Sequence, residues 1–270
     1  MNIKQILIVC IGAALPIVFN AGSAHAGLSV KVPVIETKVK PGKSVSGKIT
    51  VSSTFNETVT VDVQPENWKK YVREEANINI AEWLKLEPKK FTIAPGKTRT
   101  IKYTARLPKD IKGEVMGMVF LAALNPGSGS MSIGTRFGIA VYVAAEGTER
   151  FDGVVENTVI RSETRNGKNG YAVFTTIKNT GNVHFRPRGR VAITDNTGNI
   201  LCEGEYQYGW PLFPSQNHAY DAFIETTQLT KGEYLAEASF NFGDIYPKAD
   251  KLINAKSFID ADNEGVLVVK

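Results

Sequence analysis

Residues 95–124 read PGKTRTIKYTARLPKDIKGEVMGMVFLAAL, and residues 214–240 read PSQNHAYDAFIETTQLTKGEYLAEASF. The two stretches share a frame. Pro95-Gly96 and Pro214-Ser215 each open a strand-like run, and seventeen residues after each proline a Lys-Gly-Glu triplet turns into the next. The triplets are Lys112-Gly113-Glu114 and Lys231-Gly232-Glu233. The copies lie 119 residues apart, about the length of one β-sandwich domain. A fixed-offset echo signals repeated units. Two consecutive β domains suit an interaction protein better than an enzyme.

Outward from this echo the texture is β throughout. Val59, Val61 and Val63 alternate with Thr58, Thr60 and Asp62, and Leu28, Val30, Val32 and Val34 alternate with Ser29, Lys31 and Pro33. That period of two marks strands with one buried face, and branched residues suit a pleated surface. Val115 to Leu124 is an apolar run that reads as a central strand. Asn67 to Glu82 is polar and irregular, and is read as a short helix or a crossing loop. In the second half, Val154–Ile160, Tyr171–Lys178, Val191–Thr194, Ile200–Tyr208, Tyr220–Thr226, Tyr234–Phe242 and Lys251–Ile259 are candidate strands, with Gly265–Val269 as one more. Roughly seven short strands per half, with turn signals about every 8–12 residues, is the pattern of an immunoglobulin-like sandwich. The expectation is all-β: two consecutive immunoglobulin-like β-sandwich domains, over residues 27–147 and 148–270, after a leader at 1–26.

The leader is read from Lys4, the apolar stretch Ile6 to Phe19, and Ala24-His25-Ala26, which fits a small-x-small cleavage site. Export places the chain in a periplasm or outside the cell. No later run is long and apolar enough to span a bilayer. Cys10 falls inside the leader, so Cys202 is the one cysteine left and no intramolecular disulfide forms. Each domain must rely on its core, and about 120 residues is enough for one. The formal net charge of +5 comes from interspersed lysines, arginines and acids, which reads as a solvated surface and not a nucleic-acid track.

Catalysis finds little support. His184 and His218 follow the leader, and neither stands at metal-ligand spacing with cysteine or another histidine. There is no nucleophile elbow and no phosphate-binding glycine loop. The expectation is a non-enzyme without cofactor or metal, whose partners are proteins.

Trp83-Leu84-Lys85-Leu86-Glu87-Pro88, Phe91 to Gly96, Leu107-Pro108, Gly113 to Leu124 and Ile139-Ala140-Val141-Tyr142-Val143 together resemble the first domain of periplasmic pilus chaperones, the PapD-like proteins. Asn179-Thr180-Gly181-Asn182 and Lys231-Gly232-Glu233-Tyr234 are similar to second domains of the same broad group. The resemblance spans most of the chain after the leader. It implies a chaperone that lends an edge strand of its first domain to a pilus or surface-fibre subunit. The alternative is an adhesion or scaffold protein of the same fold. The family holds its subunit's terminal carboxylate with a paired arginine and lysine, and here the chain departs from the pattern. Ile139 or Ala140 stands where the lysine is expected, Arg136 is the nearest cation, and the first strand offers Lys31 or Lys38 but no arginine.

The candidate partner-binding strand is Met131–Val143, with Met131, Ile133, Phe137 and Ile139 on its apolar parity. If it lies at a sheet edge, its backbone can pair with a partner and this parity can fill a groove; otherwise the parity belongs to its own core. Arg136, and the alternating Arg186, Arg188 and Arg190, are possible anion contacts; for the alternating three, beside Pro187 and Gly189, the commoner role of such a cluster is a solvated strand end. Tyr206, Tyr208, Trp210 and Phe213 form an aromatic group that is either a surface or domain packing.

Overall fold

The computed structural model describes residues 27–68, 78–125, 133–207, 210–226, 229–243, 252–262 and 267–269. Residues 1–26, and with them the expected leader, lie outside this set. Two sandwiches follow one another. The first packs a sheet of order β2-β9-β8-β4-β6 on one of order β1-β3-β7-β5, and the second packs β13-β12-β15-β16-β17 on β10-β11-β14.

In the first sandwich β1 is Leu28–Val30, β2 Val34–Val39, β3 Ser44–Ser53, β4 Val59–Asn67, β5 Leu84–Glu87, β6 Lys90–Ile93, β7 Thr98–Arg106, β8 Glu114–Asn125 and β9 Ile133–Ala145. The alternation seen in the sequence is the alternation of burial. Val59, Val61 and Val63 point inward from β4 while Thr60 and Asp62 are half-buried on the other face. Each such aliphatic side chain taken from water stabilises the fold by about 1.5–3 kcal/mol. Among the described residues of the irregular stretch before β5 is a short helix, α1 (Ile80–Trp83), capped by the Asn79 side chain, which accepts from the Ala81 N–H at 3.1 Å. Its purpose in the fold is Trp83, whose ring is buried among Val51, Leu86 and Ile101 in the same core.

The run from Leu28 to Val34 is not one strand. It breaks at Lys31–Pro33, and the two pieces join different sheets. β1 pairs antiparallel with β3, and β2 pairs parallel with β9. Proline has no N–H to give a ladder, but its carbonyl still accepts, here from Ala140 N–H at 3.2 Å. The chain therefore crosses from sheet to sheet at that point.

The second sandwich contains β10 (Gly153–Arg165), β11 (Lys168–Asn179), β12 (Arg188–Thr194), β13 (Ile200–Glu205), β14 (Asn217–Glu225), β15 (Gly232–Asn241), β16 (Ile253–Ala261) and β17 (Leu267–Val269). Its core of Tyr171, Val173, Ile177, Phe185, Val191, Ile193, Tyr220, Ile224 and Phe240 is separate from the first. The echo falls on equivalent places. Pro95-Gly96 and Pro214-Ser215 lead into β7 and β14, and both Gly96 and Ser215 have positive φ, 65° and 66°. The two Lys-Gly-Glu triplets lead into β8 and β15, the central strands that follow.

Candidate partner-binding edge

β9 has β8 along its whole length on one side. On the other side β2 covers it only from Ala140 to Ala145. Among the described residues no strand pairs with the β2 side of β9 between Ile133 and Ile139. The direction of its backbone groups follows from two bonds. Ala140 N–H donates to Pro33 and Glu146 N–H donates to Val39, both toward the β2 side. Alternate residues of a strand send their N–H and C=O the same way. Gly134, Arg136 and Gly138 therefore aim their backbone groups at the uncovered side. Such a row of donors and acceptors is a template for one more strand.

The side chains of β9 divide by parity. Ile139 is fully buried and Phe137 is half-buried against the same first core. Ile139 therefore cannot also line a partner's groove without leaving that core, and the expectation that this parity serves a partner has to be narrowed. Ile133 opens the strand, but its side chain and the whole of Met131 lie outside the described residues. Arg136 is on the opposite face. Its guanidinium sits 3.5 Å over the Phe120 ring and pairs with Glu66, so it is engaged within the sheet.

The cationic series separates as well. Arg188 and Arg190 lie on the exposed outer face of β12, Arg190 being 3.8 Å from Glu203. Arg186 precedes the strand and turns to the first sandwich, where its Nη1 is 2.7 Å from Glu36 Oε1. Lys38 is taken by Glu149 at 2.9 Å. The aromatic group also divides. Tyr206 stacks on Phe240 at 4.3 Å inside the second core, Phe213 joins Trp68 and Tyr142 between the sandwiches, and Trp210 is exposed. Tyr208 lies outside the described residues. Cys202 is half-buried in β13, and burial pushes its thiol up, away from the thiolate that reactivity requires.

Next to the edge, the two sandwiches are joined by charge. His184 has no exposed surface. Its Nδ1 lies 2.7 and 2.8 Å from the two carboxylate oxygens of Glu114, itself buried at the start of β8. Its Nε2 is 3.5 Å from Glu36 Oε1 on β2, and the Tyr142 ring lies 4.1 Å away. Two carboxylates of the first sandwich thus hold an imidazole and a guanidinium of the second. Burial alone pulls the imidazole pKa down, but the Glu114 charge and hydrogen bond, helped by Glu36, win and push it up to about 9. Burial likewise raises Glu36, and the bonds from His184 and Arg186 outweigh it and hold that carboxyl below its usual range. Backbone closes the join. Glu114 N–H donates to Asn182 at 3.1 Å, and Gly113, at φ +79°, passes so near that a Cβ there would lie 2.4 Å from the Asn182 carbonyl oxygen.

The sequence matches no family model and no curated protein. Among solved structures it is similar to the class 5 fimbriae chaperone CfaA, at 15% identity over 85% of this chain and 98% of that one, with a TM-score of 0.50. The chain has the two-domain PapD-like fold. A chaperone–tip adhesin complex of CFA/I fimbriae biogenesis follows at 14% identity, 86% and 98% coverage and a TM-score of 0.49. The E. coli chaperone DraB follows at 12%, 85% and 98%, and 0.43.

The residues that the sequence pattern does not single out are those of the join. The sequence offers His184 only as a candidate for metal binding or catalysis, and Glu114 only as the end of a turn triplet. A signal was present: His184 and Arg186 alternate, so an extended segment puts both on one face, and the flanking Val183 and Phe185 are apolar. A cationic pair set among buried residues asks for carboxylates.

Proposed function

We propose that this protein is a periplasmic chaperone for subunits of a pilus or surface fibre, and that it captures them by strand addition along β9. The observation that carries this reading is the stop of β2 at Val34, opposite Ala140. It leaves the backbone groups of Gly134, Arg136 and Gly138 directed outward with no described strand against them. Strand addition draws affinity from main-chain hydrogen bonds, so it needs no catalytic group or cofactor. The leader-like N-terminus and the likeness in fold to a fimbriae chaperone support the same reading.

The test removes a donor without touching the core. Arg136→Pro deletes an outward N–H, and edge strands tolerate proline. Capture of small fibre subunits from periplasmic extract is expected to fall at least tenfold, with an unchanged circular dichroism spectrum. Undiminished capture by the folded variant overturns the reading. Recovery of glycan or large surface proteins instead, equally from both forms, favours an adhesion or scaffold role.

A further inference from the structure

β9 carries two glycines on its outward-facing parity, Gly134 and Gly138, although glycine weakens a strand relative to alanine. At Gly138 the reason is visible. A Cβ there would lie 2.8 Å from Met118 Cε and 3.1 Å from Phe120 Cε1. Both side chains come from β8, where Met118 is opposite Ala140 and Phe120 is opposite Gly138. They lean across the bare glycine toward the uncovered edge. Neither is buried outright. Arg136 stacks on Phe120 and is tied to Glu66, so the ring is held in place from the β9 side.

This apolar platform has a precedent one step along the same edge. Val34, the first residue of β2, sits opposite Ala140 and packs on Met116, Tyr142 and Phe213, the continuation of the same face. The intramolecular strand that occupies the covered part of the edge thus presents an apolar side chain outward as well as Ile35 inward. A strand added in line with β2 meets the same two surfaces. Its inward residues reach half-buried Phe137, Leu28 and Val30 at the margin of the core. Its outward residue beside Gly138 meets no side chain from that position and reaches Met118, next to the Phe120 ring that Arg136 covers on one face. Bulky residues packed across a strand glycine recover the contact that the glycine lacks.

We infer that the partner is a protein strand with bulky apolar side chains on both faces at the level of Gly138, selected outward by Met118 and Phe120 as well as inward by the core margin. This inference rests on the strand-addition reading. The test uses the full chain and three labelled nine-residue peptides with lysine ends, read by fluorescence anisotropy. One alternates apolar residues with serine, one carries valine and phenylalanine at every central position, and one carries serine throughout. The two-faced peptide is expected to bind at least tenfold more tightly than the alternating one, and Met118→Ser with Phe120→Ser is expected to shrink that ratio below threefold. If that pair fails to fold, Met118→Ser alone makes the same comparison. Equal affinity of the two apolar peptides, or a ratio unchanged in the folded variant, overturns the inference and leaves strand addition standing. Peptide binding that Arg136→Pro does not weaken, or no binding of any peptide, overturns strand addition itself.

Discussion

At the residue scale the most consequential group is His184. Its charge sits between Glu114 and Glu36, with Arg186 and the Tyr142 ring packed on the same site. Removing one member of a buried pair leaves the other charge uncompensated, which costs about 3–5 kcal/mol. His184→Gln is expected to destabilise the protein by that order in chemical denaturation. The double change with Glu114→Gln is expected to cost less than the two single changes added together. The pH dependence has a definite sign. An imidazole raised from 6.5 to about 9 on folding contributes stability that is complete below about pH 6.5 and is lost as pH climbs through 9. The stability gap between wild type and His184→Gln should therefore be wide at pH 6 and narrow by pH 10. A gap of constant width would show that folding leaves the imidazole pKa unshifted.

At the element scale, β9 shows what alternation can and cannot tell. The alternation of Phe137, Ile139, Val141 and Val143 is enough to predict a strand with one apolar face. It is silent on which layer that face meets, because a sheet edge and a sheet centre have the same period. The structure decides through β2, and the position of β2 depended on Pro33, a residue easily absorbed into the run Leu28–Val34 on valine spacing alone. The echo, by contrast, was legible because it rests on turns. Gly96 and Ser215 need positive φ, and turn geometry is written in residue type. The burial of Ile139 gives a prediction of its own. Ile139→Asp places a carboxylate in the first core and is expected to unfold that sandwich, seen as loss of the cooperative transition at neutral pH. Phe120→Ser, on the outer face, should leave the transition within a few degrees. Similar melting of the two variants would contradict the assigned parity.

At the scale of the whole molecule, two separate cores meet at a join made of charge and backbone. Gly113, the middle of the first triplet, lies in that join, while its counterpart Gly232 begins an ordinary strand. The same three residues thus serve different ends in the two copies, and no repeat analysis separates them, since the difference lies in what faces them across the chain. The partners across the join were illegible for that reason: Glu114 and His184 are 70 residues apart, and the local pattern around His184 asks for a carboxylate without saying which. The first sandwich has a long-range dependence too. β2 and β9 pair in parallel with Val34 opposite Ala140, and such non-local pairing forms late because the loop between must close first. Chains truncated before residue 133 are expected to stay sensitive to protease, and chains extended through residue 152 to become resistant. Resistance in the shorter chain would show that β9 is dispensable for closure.

The crossing at Pro33 sets an order of assembly. In a chain that emerges from its N-terminus, β1 and β2 come first, and the strand that β2 needs arrives last of its sandwich. Until then the seat that β9 will occupy stands open in a half-built sandwich. Before β9 arrives, β2 is itself a strand without a neighbour on that side.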